Sequence, residues 1–351
     1  MTTLTSKSII LKENIHEGIP LPEHFHIEEK IFPLDETISN LKEGEIVLEA
    51  KAFSVDPYLR NRVRVVQAGS VLNGYVAGRV LASKNPLWKV GDLLGSQIPY
   101  STYQVLSESQ VSEDKTWKLT EWITDDEFVT RGVGILGSTG ATAYGGLIDI
   151  LQPKKGETIF VSAASGAVGG LVGMIAKHVF GCKVIGSCGG PEKTAFIKDY
   201  YGFDHAIDYK KMETKEDLIA ALREVAPEGI DMYFENVGGI HFEAAMATLR
   251  KGGRIAICGW ISQYHEKGFG GANIAQFSPL SMIYSEQRIQ GFHCSHWLYG
   301  EKGNFLEDMS RWLKEDKVKA QETVYQGIES WPGAFHSLFL GGGKGKNVVR
   351  I

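Results

Sequence analysis

Glu157-Thr-Ile-Phe-Val-Ser-Ala-Ala-Ser-Gly-Ala-Val-Gly-Gly-Leu-Val-Gly-Met-Ile-Ala-Lys177 is the stretch on which the reading of this chain turns. A short apolar run, Ile159-Phe160-Val161, enters a turn of small residues from Ala163 to Gly166. The chain leaves that turn through Val168, Leu171, Val172, Ile175 and Ala176, which are spaced as one face of a helix. Strand, tight turn and helix in this order form the opening half of a dinucleotide-binding unit. Ala164, Gly166 and Gly169 fall on the three small positions of G-x-G-x-x-G, with alanine in the first. The turn must be small because its backbone approaches a pyrophosphate closely. Ala167 and Val168 open the helix, whose unpaired N–H groups and positive dipole end face that phosphate.

Around this stretch the chain has 351 residues, which favours two domains, and 43% of them are hydrophobic, enough for large cores. A net charge of −5 with scattered basic residues argues against nucleic acid as a partner. The densest basic cluster, Lys344 and Lys346, sits in a glycine tract. No apolar run approaches the length of a membrane span, and Met1-Thr-Thr-Leu4 does not read as a signal peptide. Cys182, Cys188, Cys258 and Cys294 show no C-x-x-C spacing and no disulfide framework. A reducing compartment, the cytoplasm, is expected.

Residues 1–127 read as β-rich, with alternating segments such as Glu45–Phe53 and Tyr75–Leu81 bounded by turn residues. From 128 to 316 the texture changes to strands alternating with helices. An apolar helical pattern begins at Ala143, then strands are expected at Lys183–Gly186, His205–Asp208, Ile230–Phe234 and Gly253–Cys258. A late strand is expected at Arg288–Phe292. Such alternation predicts an α/β fold with a doubly wound parallel sheet. Residues 317–351 return to a mixed pattern and end in Val348-Val-Arg-Ile351, a strand expected to rejoin the first domain.

The second strand of such a unit ends in Ser187-Cys188-Gly189-Gly190, without the carboxylate that holds a ribose 2′-hydroxyl in NAD-preferring folds. A carboxylate there would repel a 2′-phosphate, so its absence tilts the site toward NADP(H). Lys193 follows directly, where an ammonium reaches a phosphate; a solvated helix lysine is the bland alternative.

The segments Asp56-Pro-Tyr-Leu-Arg60, Gly137-Ser-Thr-Gly-Ala-Thr-Ala-Tyr144, Ala163–Gly169, Asp208-Tyr-Lys210, Glu235-Asn-Val-Gly-Gly239, Gly253–Gly259 and Ile261-Ser-Gln-Tyr264 occur in order. Together they resemble the zinc-independent branch of the medium-chain dehydrogenase/reductase superfamily, in its prostaglandin reductase, leukotriene B4 12-hydroxydehydrogenase and alkenal double-bond reductase group. The resemblance implies a β-rich GroES-like catalytic domain and a Rossmann domain. It implies NADPH, with Lys193 and Tyr209 on the 2′-phosphate and Gly166 to Gly169 on the pyrophosphate. Gly189, Asn236, Cys258 and Gly259 would line the cofactor trough, and Thr139 and Thr142 would lie toward the nicotinamide. In the closing loop Gly343 stands where the family usually has asparagine, and Asn347 is the nearby polar residue expected to compensate.

Zinc-dependent relatives need a thiolate, a Gly-His-Glu and a further cysteine around an open coordination position. Here the corresponding stretches read Ala52-Phe-Ser-Val-Asp-Pro57 and Gly74-Tyr75-Val76, so no metal site is expected. His24 and His26 read as surface residues. Metal-free hydride addition to the C=C bond of a small apolar α,β-unsaturated aldehyde or ketone fits this set. Hydride goes to the β-carbon, and the enolate oxygen needs neutral donors: a tyrosine and the cofactor's ribose hydroxyl. Tyr264, Tyr58 and Tyr75 compete for that place, and the resemblance favours Tyr264, with Tyr58 in the pocket. Two-electron reduction of quinones on the same scaffold is the alternative chemistry. The late strand at a sheet edge predicts a homodimer.

Overall fold

A computed structural model describes residues 2–266 and 277–351. The chain forms two compact units. The first comprises Met1–Ser138, Leu298–Leu306 and Glu322–Ile351; the second comprises Thr139–Trp297 and Glu307–Gln321. Leu298–Leu306 thus packs with the first unit, although the sequence pattern alone groups it with residues 128–316. The Tyr299 ring there lies 6.3 Å from that of Trp117.

In the first unit, β1 (Thr3–Leu11) and β2 (Phe25–Pro33) form an antiparallel pair. The main sheet contains β3 (Ile46–Ser54), β4 (Asn73–Ser83), β5 (Leu93–Pro99), β6 (Tyr103–Leu106) and β7 (Thr116–Lys118). β14 (Glu322–Gln326) and β15 (Lys346–Arg350) complete it, in the order β14-β15-β3-β4-β5-β7, with β6 pairing β3. β3 is buried along most of its length, with Glu49 and Lys51 half-buried and paired at 2.8 Å; Ile46, Leu48 and Phe53 join Val76, Tyr100, Trp331 and Phe335 in one core. The polar tips buried with that core are satisfied. Tyr100 Oη and Trp331 Nε1 both donate to the Ser54 carbonyl, at 2.7 and 3.1 Å. The closing strand β15 lies in the first unit, where it runs antiparallel to β3.

The second unit is built on β8 (Thr158–Val161), β9 (Lys183–Cys188), β10 (His205–Asp208), β11 (Ile230–Glu235), β12 (Leu249–Ile257) and β13 (Arg288–Gly291). These six strands pair in parallel in the order β10-β9-β8-β11-β12-β13. The order reverses between β8 and β11, the crevice where such sheets bind ligands at their carboxyl ends. Phe160, Ile185, Leu218, Leu222, Tyr233, Phe242 and Ile255 share one core. The helix Lys215–Val225 is set by Thr214, whose hydroxyl accepts from Asp217 N at 3.2 Å while Asp217 accepts from Thr214 N.

One helix begins earlier than the apolar pattern suggests. It runs over Ser138–Gly145 and widens into a π turn at Gly146–Leu151. Gly145 and Gly146 are pressed against Trp297 and against Phe292 and Phe234, where a Cβ would overlap the rings. Aromatic packing from distant strands therefore sets the helix geometry here. Among the described residues no helix is long and apolar enough to cross a membrane.

Candidate cofactor and active site

The turn between β8 and the helix Ala167–His178 has the close backbone approach its sequence demands. Ala163 lies at φ +49°, and its carbonyl accepts from Gly166 N at 2.9 Å. A Cβ at Gly169 would lie 2.5 Å from that same carbonyl oxygen, so only glycine fits. Alanine is accommodated at 164 because glycine stands opposite: a Cβ on Gly186 would come within 2.7 Å of the Ala164 methyl. Ala164 N meanwhile donates to Ser187 O at 2.9 Å, tying the turn to β9. Gly166 precedes the helix in extended conformation, and Ala167 and Val168 begin it. Their amides are among those a helix start leaves unpaired. This is a cradle that a larger side chain would fill, and it suits a pyrophosphate.

At the end of β9, Tyr209 and Lys210 pack over Gly189. A Cβ on Gly189 would sit 3.1 Å from Tyr209 Oη and 3.0 Å from Lys210 Cε, so the ring and the lysine stem lie over bare backbone. Asp208, the last residue of β10, holds this arrangement: its Oδ1 accepts from Gly190 N at 2.7 Å and Lys210 N at 3.2 Å. Lys193 lies in the first turn of the helix Pro191–Asp199 and interacts electrostatically with Cys188. Beneath Tyr209, edge-on at 5.6 Å, lies His241, whose Nε2 pairs with Ser187 Oγ at 2.9 Å. Burial lowers the pKa of His241 to about 4, so it is a neutral packing group. Asp208, Lys210 and His241 are not singled out by the sequence pattern. An acidic residue closing a strand before Tyr-Lys is the signal that marks the first.

At the end of β11 the trough residues form one linked group. Asn236 N donates to Ser162 Oγ at 2.9 Å and Asn236 Nδ2 to Ser162 O at 2.8 Å, joining the ends of β11 and β8. Cys258 N and Gly259 N both donate to Glu235 O, at 2.9 and 3.1 Å. Gly259 is wedged between Asn236 O and Tyr264 Oη, each 3.3 Å from a Cβ built there. Trp260 N donates to Tyr264 Oη at 3.4 Å. Burial, the largest influence, raises the pKa of that hydroxyl, which stays protonated and keeps a hydrogen to donate. Thr139 is buried in the first turn of the helix Ser138–Gly145, and Thr142 is half-buried one turn on.

Tyr58 and Asn347 belong to the first unit. Tyr58 Oη accepts from Gln97 Nε2 at 3.3 Å, and its ring meets Tyr75 edge-on at 5.9 Å. Tyr75 is buried and packs in turn on Trp117. Asn347, read from the sequence as a cofactor contact, is 2% exposed and spends its amide group inside the unit. It donates to Ala334 O at 3.3 Å and Ser337 Oγ at 3.1 Å. Gly343 stands directly over it at φ +80°, where a Cβ would lie 2.8 Å from Asn347 Oδ1. That conformation favours glycine, and any larger residue at 343 would have to displace the Asn347 side chain. Lys346, half of the basic cluster seen in the sequence, turns inward to Asp56.

Among the described residues no group of three or more His, Cys, Asp and Glu side chains could hold a metal ion. Ser54 and Tyr75, in the two stretches where zinc-dependent relatives carry ligands, are buried in hydrogen bonding and ring packing. His24 Nδ1 accepts from Leu21 N at 3.0 Å, a local turn contact. The donor set does not suit zinc.

Two family models match the chain: "Zinc-binding dehydrogenase" over residues 167–315 and "N-terminal domain of oxidoreductase" over residues 7–113. Prostaglandin reductase 1 of Bos taurus is 37% identical over 352 residues, covering 98% of this chain and 99% of its own. A 2-alkenal reductase (NADP(+)-dependent) of Nicotiana tabacum is 37% identical over 358 residues, covering 99% and 98%. The crystal structure of CurA in complex with NADPH, from Vibrio vulnificus, superposes with TM-score 0.81 at 34% identity, covering 98% of each chain. The chain belongs to the medium-chain dehydrogenase/reductase family, among the relatives of the prostaglandin and 2-alkenal reductases.

Proposed function

We propose that the protein is an NADPH-dependent reductase of the C=C bond in α,β-unsaturated aldehydes and ketones. The observation that carries this reading is the contact of Tyr264 Oη with the Gly259 and Trp260 backbone, which sets a protonated hydroxyl beside the trough residues. The names of the relatives, a 2-alkenal reductase and a prostaglandin reductase, support the substrate class. When bound, NADPH supplies a hydride. The chain's residues bind and orient: the amides at Gly166 to Gly169 hold the pyrophosphate, and Lys193 and Tyr209 hold the 2′-phosphate. Asn236, Cys258 and Gly259 line the trough. Tyr264 donates its hydroxyl hydrogen to the substrate carbonyl oxygen as negative charge gathers there. Tyr58 serves as a wall of the substrate pocket.

Tyr264→Phe keeps the ring and removes only the donor, so it acts on the transition state more than on the ground state. The expected result is a fall in kcat for an enone of about one to two orders of magnitude, about 1.4–2.7 kcal/mol. NADPH affinity stays as in the wild type. Unchanged kcat with a raised KM would reduce Tyr264 to pocket lining and pass the donor role to Tyr58. The assay is NADPH consumption over 2-alkenals, cyclic and acyclic enones, 15-oxo-prostaglandins and quinones, with enones the expected substrates. Turnover of quinones alone would replace this reading with a quinone reductase.

We propose also a two-fold homodimer that joins β13 of each copy edge to edge. β13 ends the sheet order, and an edge strand presents unpaired backbone groups. The neighbouring helix Pro279–Ser285 leaves Leu280, Ile283 and Tyr284 exposed, a patch that a second copy would cover. Light scattering at micromolar concentration is expected to give twice the mass of one chain, and a single-chain mass sinks the proposal. The free thiols of all four cysteines support a cytoplasmic setting.

A further inference from the structure

Glu235 ends β11 with a side chain that no solvent reaches, at 0% exposure. The three residues before it, Met232, Tyr233 and Phe234, are fully buried, so a carboxyl group here carries a desolvation cost that packing alone would never require. Its Oε1 accepts from Val237 N at 2.6 Å, Gly238 N at 2.8 Å and Ser162 Oγ at 3.2 Å. Its main-chain oxygen accepts from Cys258 N and Gly259 N. Ser162 Oγ, held by Glu235, in turn accepts from Asn236 N. One residue thus fastens three segments: the end of β8, the Asn236–Gly239 turn and the Cys258–Gly259 turn.

We propose that Glu235 is a positioning residue that pre-forms the cofactor trough, holding Asn236, Cys258 and Gly259 in place before the nucleotide arrives. The proposal rests on the NADPH reading above. Glu235 acts on the part of the trough that serves NADPH and NADH alike, and the groups it holds, Val237 N, Gly238 N and Ser162 Oγ, are not those of Gly189, Lys193 or Tyr209. Two turn amides and a serine hydroxyl converge on a single oxygen, and that acceptor is what the turns need. Its burial raises the carboxyl pKa to about 6, with Val237 and Gly238 drawing it back down. Glutamine keeps a carbonyl oxygen at the same place without the charge, whereas leucine keeps the volume, orphans the Val237 and Gly238 amides and leaves Ser162 Oγ with Phe234 O alone, at 3.4 Å.

The test compares full-length wild type, Glu235→Gln, Glu235→Leu and Ser162→Ala, each checked for native circular dichroism. Dissociation constants for NADPH and NADH are read by fluorescence titration, and kcat is read at saturating NADPH. Glu235→Leu is expected to weaken both cofactors by the same factor, about tenfold or more, because buried donors lose their partner. Its kcat at saturation should stay within about threefold of wild type, and Glu235→Gln should recover affinity to within about threefold, since an amide oxygen still accepts. Ser162→Ala should give a smaller loss, again equal for the two cofactors, and it decides the matter if Glu235→Leu does not fold. Wild-type affinity in Ser162→Ala and in a folded Glu235→Leu overturns the proposal, as does a loss confined to NADPH. Failure of Glu235→Gln to rescue also overturns it. A wild type that binds neither nucleotide would instead sink the cofactor reading.

Discussion

Replacing Lys346 by methionine is expected to destabilise the protein by about 3–5 kcal/mol, the cost of leaving one member of a buried ion pair unpaired. Lys346 Nζ donates to Asp56 Oδ1 at 2.6 Å and to Val55 O at 2.7 Å. The two side chains are only 5% and 10% exposed. The other Asp56 oxygen accepts from Ser54 Oγ, and Ser54 O receives the hydrogens of Tyr100 and Trp331. Without the ammonium, a carboxylate remains in the middle of this network with no cation beside it. Screening cannot relieve it as it would at a surface. Urea unfolding of the wild type, Lys346→Met and the double variant Asp56→Asn/Lys346→Met measures the effect. The double variant is expected to recover most of the loss, because the stranded charge goes with the aspartate. If the double variant is no more stable than the single one, the loss is one of packing and not of charge.

That pair also marks where sequence reading stops. Lys346 and Asp56 are 290 residues apart, and the glycine tract around Lys346 reads as a closing loop near the cofactor, whereas β15 pairs with β3 and Lys346 turns inward. Local chemistry was legible. The apolar run and small turn of Glu157–Lys177 became β8 and the helix Ala167–His178, because spacing and turn size act over a few residues. The strand His205–Asp208 kept the bounds its pattern predicts. Long-range packing was not legible. The early helix at Ser138 is shaped by rings from Phe234, Phe292 and Trp297, and the attachment of Leu298–Leu306 to the first unit involves Trp117. Glu235 stood in a recognised segment, yet nothing in its neighbours' identities tells that its carboxyl is sealed from water. Asn347 was placed by proximity to a glycine loop, whereas its register in β15 turns it toward Ala334 and Ser337.

Changing Lys193 to alanine is expected to weaken NADPH binding by about 1.5–3 kcal/mol, the range for a hydrogen bond to a charged group. NADH binding is expected to stay nearly constant. The asymmetry follows from the end of β9. Gly189 and Gly190 leave bare backbone there, Tyr209 Oη overhangs it, and Lys193 follows one helical turn on. The carboxylate of Asp208 is already engaged by the amides of Gly190 and Lys210, which offsets its repulsion of a phosphate. A dianionic 2′-phosphate would meet the Tyr209 hydroxyl, the start of a helix and the ammonium groups of Lys193 and Lys210, whereas a 2′-hydroxyl would leave Lys193 in water. Removing the ammonium therefore costs only the phosphate-bearing nucleotide. Tyr209→Phe, which deletes the overhanging hydroxyl and keeps the ring on His241, should give a smaller loss of the same kind, about 0.5–1.5 kcal/mol. Titration of each variant with both nucleotides at fixed ionic strength checks this, and the NADPH effect of Lys193→Ala should shrink as salt is raised. Equal losses for NADPH and NADH would show that Lys193 shapes its helix and does not hold the phosphate.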